Sequence, residues 1–135
     1  MTFVAMSAIA ILPASATGGS ARRVGLYSCT GKVVVRPGNF VITCADANTQ
    51  LTATKWTQWD STLGVGTTRF AMNLCNPTCV ASKISYFPAS VVRLSAPIRT
   101  SAHGWLFSKL TVTYRLHGRM KTFRFSWIGD PAFKT

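Results

Sequence analysis

The chain has 135 residues, with fifteen Lys and Arg against three acidic residues, and a net charge of +12. That length suits one domain with a real core and is too short for two. With no glutamate and only Asp46, Asp60 and Asp130, the chain is poor in carboxylates for general acid/base work, and it has no Gly-x-Ser-x-Gly elbow, His-Glu-x-x-His motif or phosphate-cradling glycine loop. A non-enzymatic protein without metal or other cofactor is expected.

Phe3 to Leu12 is a short apolar run broken by Pro13, and Ala14-Ser15-Ala16 gives a small-x-small cleavage pattern before Thr17. Met1 to Met6 carries no basic residue, a departure from the usual export signal. A membrane anchor needs about 20 apolar residues, more than this run supplies. Residues 1–16 are therefore read as a cleaved signal peptide, which makes the protein secreted, with cell-wall association as a variant of that reading. Residues 17–25 are small, Gly-rich and basic and read as a flexible lead-in. Residues 26–135 are expected to form a single disulfide-stapled β-domain.

Strands are expected at Leu26–Arg36, Asn39–Ala45, Leu51–Trp59, Val65–Met72, Lys83–Leu94, Trp105–Leu116 and Lys121–Ile128, all rich in β-branched and aromatic residues. Pro37-Gly38, Asp46-Ala47-Asn48, Asn76-Pro77, Pro97 to Gly104 and His117-Gly118 separate them. Seven strands at this spacing predict an all-β fold, an antiparallel Ig-like β-sandwich or a small barrel. Gly64-Val65-Gly66 reads as a flexible loop or bulge.

The last two strands suggest a register. A loop over His117 to Met120 sets Leu116 opposite Lys121, Tyr114 opposite Phe123, Val112 opposite Phe125 and Leu110 opposite Trp127. One face is then apolar. The other carries Arg115 with Thr122, Thr113 with Arg124, and Thr111 with Ser126, as a half-buried antiparallel pair requires.

Cys29, Cys44, Cys75 and Cys79 suit two disulfides in an exported domain. Three pairings are open. Cys29–Cys44 and Cys75–Cys79 are favoured, because the first two flank the Pro37-Gly38 reversal and the second two enclose a tight Asn76-Pro77-Thr78 loop. In the chain-entropy picture these bridges contribute about 3 and about 2 kcal/mol. A zinc site would need a second close pair, and His103 and His117 lack ligand spacing.

Trp56 and Trp59 lie three apart, so a regular strand sends them to opposite faces. One would then pack in the core and the other reach the surface, as an aromatic contact for a sugar ring or a base. Packing of both in the core or a loop is the favoured alternative, because Trp is mostly buried. Lys109, Arg115 and Arg124 fall on the polar hairpin face, with Arg119 and Lys121 at its tip. Together they form a Thr/Ser-studded basic strip suited to phosphate or carboxylate. Trp105 and Phe107 are the aromatics expected at one end of that strip, too few for base stacking of the single-strand-binding type.

From Cys29 to Leu94 the order and spacing of several motifs carry a resemblance. They are Cys29, the tract Thr43 to Asn48, Trp56-x-x-Trp59, Gly64-x-Gly66-Thr67, Asn73-x-Cys75-x-Pro77-x-Cys79, Tyr86-x-Pro88 and Val92-x-Leu94. With these the chain resembles a family of small secreted actinobacterial proteins. Asn48 stands where that pattern has a glycine, and Val80-Ala81-Ser82 replaces its Ala-x-Gly. The resemblance implies export and a disulfide-bonded β-domain, and no activity.

The expected function is a non-enzymatic extracellular or envelope protein binding an anionic polymer or lipid surface through its basic β-face. Nucleic acid is set aside as a physiological target because an exported chain meets the envelope first. The alternative is a protein-binding module, such as an inhibitor of a secreted hydrolase, presenting the Cys75–Cys79 loop.

Overall fold

Apolar and polar residues alternate through most of the chain, and in the computed structural model these segments pair into one sheet. The structure describes Ile11 and residues 22–135. Apart from Ile11, the expected signal segment and most of the lead-in thus lie outside the described residues. The strands are β1 (Val24–Tyr27), β2 (Val33–Val34), β3 (Phe40–Val41), β4 (Thr49–Trp59), β5 (Gly64–Asn73), β6 (Ile84–Thr100), β7 (Gly104–Leu116) and β8 (Arg119–Ser126). A one-turn 3-10 helix, Pro131–Phe133, follows β8, capped by Asp130, and no α-helix occurs among the described residues.

The strand order is β2-β1-β7-β6-β5-β4-β3, with β8 also paired to β7. β7 therefore has β6 along one side and shares its other side between β8 and β1. All pairings are antiparallel except β1 with β7, where Val24 lies beside Trp105 and Gly25 beside Leu106. The sheet curls into a half-barrel around a core that includes Leu26, Phe40, Ile42, Leu51, Phe70, Val92, Leu94, Leu106, Leu110 and Val112. The chain is all-β and doubly disulfide-bonded, as expected. The antiparallel, seven-stranded expectation is corrected to a mixed sheet of eight strands.

Three local features explain the difference. The expected strand Leu26–Arg36 is cut by a turn in which the Gly31 amide donates to the Ser28 carbonyl, with Gly31 at φ 80°. β1 begins at Val24, inside the expected lead-in. The break expected at Pro97 does not occur, because β6 runs on to Thr100 with Pro97 paired to Phe107. Residues that cannot fit a regular ladder are taken up by irregularities, including a register shift beside Pro88 and the left-handed Ala89 (φ 54°).

Both favoured disulfides are present, Cys29–Cys44 and Cys75–Cys79. The first does not span a hairpin at Pro37-Gly38, since β2 pairs with β1 and β3 with β4. Cys29 follows β1 and Cys44 follows β3, near opposite ends of the strand order. The bridge therefore ties the two margins of the curled sheet together. No buried side-chain nitrogen or oxygen among the described residues lacks a hydrogen-bond partner.

Candidate functional site

The β7–β8 hairpin turns tightly, with only His117 (φ 50°) and Gly118 (φ 75°) between the strands. Both residues are left-handed, as a two-residue turn matched to sheet twist requires. The expected four-residue loop is therefore corrected, and the pairing slides by two. Leu110 faces Phe125, Val112 faces Phe123, Thr111 faces Arg124, and Leu116 faces Arg119. A slide of two preserves which face each residue occupies. The apolar and polar faces stand as derived, while each partner changes.

Alternation along the strands divides the five expected basic contacts between the two faces. Lys109, Arg115 and Arg124 lie on the polar outer face, opposite Ser126, Met120 and Thr111 respectively. Arg119 and Lys121 sit opposite Leu116 and Tyr114, on the core-side face at the exposed hairpin end. The Arg115 guanidinium donates to the Gly118 carbonyl at 3.4 Å and so partly serves the turn.

The outer face continues into strands that the hairpin derivation did not reach. Arg93 of β6 is the direct partner of Thr111, which is in turn the partner of Arg124. Two guanidinium-bearing residues thus flank one threonine hydroxyl, their backbones roughly 10 Å apart across two strand spacings. Lys109 lies in the next row between Ser95 and Ser126. A hollow of about 320 Å³ opens here, lined by Lys109, Thr111, Arg124 and Ser126 with Leu110 and Phe125. Lys55 and Arg69 extend the same face across β4 and β5, and Arg69 stacks on Tyr86 at 3.8 Å. Arg93 lies on β6, outside the β7–β8 hairpin whose alternation defines the face in the sequence. The alternation Val92-Arg93-Leu94, with two core residues around an arginine, is the signal that places it on this face.

No strand carries a carboxylate to neutralise these cations. Asp46 accepts from the Asn48 amide and side chain, and Asp130 from the Ala132 amide. Asp60 accepts from the Gln58 side chain, the Thr62 amide and hydroxyl, and the Leu63 amide. Those hydrogen bonds, the Gln58 side chain first, hold the Asp60 carboxyl well below the usual carboxylate range. The Asn48 amide first, with Thr43, lowers Asp46 in the same sense. Every acid is thus engaged by its own loop.

The tryptophans share one side of the sheet and do not fall on opposite faces. Lys55 pairs with Thr67 and Trp56 with Gly66, but a register shift before Gln58 makes Trp59 the partner of Gly64. The inserted residue Thr57 cancels the three-residue offset, so Trp56 and Trp59 share the core side, edge-to-face at 4.8 Å. Both are half-buried, and their indole N–H groups donate to the Pro37 and Val24 carbonyls at 2.9 Å. Gly64-Val65-Gly66 is accordingly a strand segment, with Gly64 and Gly66 buried under the two rings, and not a flexible loop. Phe107, expected near the strip, is fully buried beside Trp59, with ring centroids 5.4 Å apart. The outer face therefore offers mainly cations and hydroxyls, with Val91 exposed among them and Arg69 over one face of Tyr86.

Among the described residues no cluster of three or more His, Cys, Asp or Glu is placed to hold a metal ion. Comparison with protein-family models, with curated proteins and with solved structures found no match.

Proposed function

We propose that this is a non-enzymatic extracellular or envelope protein whose outer sheet face binds an anionic polymer or lipid surface. One observation carries the reading. Arg93 and Arg124 flank Thr111 on the adjacent strands, with Lys109 in the next row of the same face and no carboxylate on any strand. Two arginines beside hydroxyls can take successive phosphate or carboxylate groups, and rigid strands hold that spacing at little entropic cost. The half-barrel, tied by Cys29–Cys44, is read as an open small barrel and not as an Ig-like sandwich.

Binding to vesicles rich in anionic lipid and to a soluble polyphosphate, each at low and high salt, tests this reading. Affinity should fall steeply with salt and vanish on zwitterionic vesicles. Salt-independent binding, or none to either polyanion, would refute it.

The protein-binding alternative rests on the Cys75–Cys79 loop. Asn73 braces it by accepting from the Cys75 amide and donating to the Cys79 carbonyl, and Val80 beside it is 99 % exposed. A loop inserted into a hydrolase cleft would bind with little salt dependence.

A further inference from the structure

Away from the outer face, a cleft of about 550 Å³ lies where the chain enters β1, between the β2–β3 loop and the end of β4. Arg22, Arg23 and Arg36 line it, with Trp59, Asp60 and Ser61 on the β4 side. Its size falls within the roughly 300–1,000 Å³ of small-ligand pockets.

The arginines are placed by the fold. The Arg22 guanidinium lies 4.2 Å from the centre of the Trp105 ring, a cation–π contact that fixes the segment leading into β1. Arg36 is left-handed at φ 49°, a strained conformation for a residue with a side chain, and it sits directly before Pro37. Trp59 already donates its N–H to the Val24 carbonyl, so it offers the cleft a ring without a free donor. Asp60 is consumed by its own turn on Oδ1, and Oδ2 accepts only from Gln58.

We infer that this cleft binds an acidic sugar, a pyranose bearing a carboxylate or phosphate group. The arginines take the acid group, since three of them line the cleft against one carboxylate that is already hydrogen-bonded. The Trp59 ring takes the apolar face of the pyranose. Asp60 Oδ2 and the Ser61 hydroxyl are the polar groups at hand for its hydroxyls. A bare anion would leave the tryptophan wall unused, and a neutral sugar would leave the arginines unused.

Calorimetric titration of the full chain with glucuronate, glucose 6-phosphate, glucose and inorganic phosphate tests the site. The acidic sugars should bind at least about tenfold more tightly than glucose or inorganic phosphate. Binding by only one acidic sugar supports the site and names its acid group. Arg36→Asn, which tolerates the left-handed backbone, and the double variant Arg22→Gln/Arg23→Gln should each weaken that binding at least about tenfold. Arg93→Gln/Arg124→Gln on the outer face should leave it unchanged, which separates this site from the polymer-binding reading. The inference is overturned if neither acidic sugar binds, if glucose or inorganic phosphate binds as tightly as the acidic sugar that does, or if both cleft variants bind as the parent does.

Discussion

Gly66 lies beneath Trp56 with no room for a side chain. A Cβ there would come within 2.6 Å of the Lys55 carbonyl oxygen and 3.1 Å of the Trp56 Cα. Gly66→Ala is expected to cost about 1–3 kcal/mol through overpacking. Gly38→Ala has nothing within 4 Å of its added methyl and should shift stability by at most about 0.5 kcal/mol. Denaturant melts of the two variants measure the contrast. Asp60 makes a second prediction at this scale. Its folded carboxyl titrates below its ordinary value of 3.8 because Gln58, Thr62 and Leu63 donate to the charged form. A depressed folded value means the stabilisation is complete above the unfolded value and fades as pH falls through 3.8 toward the lower folded one. Denaturation midpoints followed from pH 5 downward should therefore fall less steeply for Asp60→Asn than for the parent, with Asp46 retaining part of the slope.

At the scale of elements, pattern was legible and offsets were not. The faces of β7 and β8 follow from period-two alternation, which is why Leu110, Val112, Phe123 and Phe125 were placed on the core side correctly. Their partners lie two residues from those a four-residue loop predicts, because His117-Gly118 alone satisfies a two-residue turn. The tryptophans show the same limit. Trp56 and Trp59 are three apart and their partners Gly66 and Gly64 two apart, so an extra residue was implied once those pairs are recognised. A single strand read by itself hides that mismatch, because a bulge is defined only against its neighbour. Of the candidate site, Lys109 and Arg124 were legible from the hairpin, whereas Arg93 depended on the β6–β7 pairing. The observed register makes its own prediction. Double-mutant cycles should give Val112 with Phe123 a coupling of roughly 0.2–1 kcal/mol, larger than that of Val112 with Phe125. The reverse order would restore the four-residue loop.

Over the whole molecule, a sheet that curls without closing leaves two margins, and Cys29–Cys44 joins them. Cys29→Ser/Cys44→Ser removes a loop constraint of about 3 kcal/mol in the chain-entropy picture and also frees the margins. Cys75→Ser/Cys79→Ser opens a much shorter loop and should cost less, about 2 kcal/mol. Thermal melts of the two double variants should rank them in that order. Net charge is the other global property. Twelve uncompensated positive charges generate long-range attraction to any polyanion, so attraction alone does not identify a site. Position does, and Arg93 with Arg124 on the outer face can be set against Arg119 with Lys121 at the hairpin tip. Polyphosphate affinity measured against salt for Arg93→Gln/Arg124→Gln and Arg119→Gln/Lys121→Gln holds net charge equal between the variants. A binding surface on the outer face predicts a clear loss of affinity and a shallower salt slope for the first variant, with the second close to the parent. Equal losses from the two variants would reduce the interaction to overall charge and contradict an outer-face site.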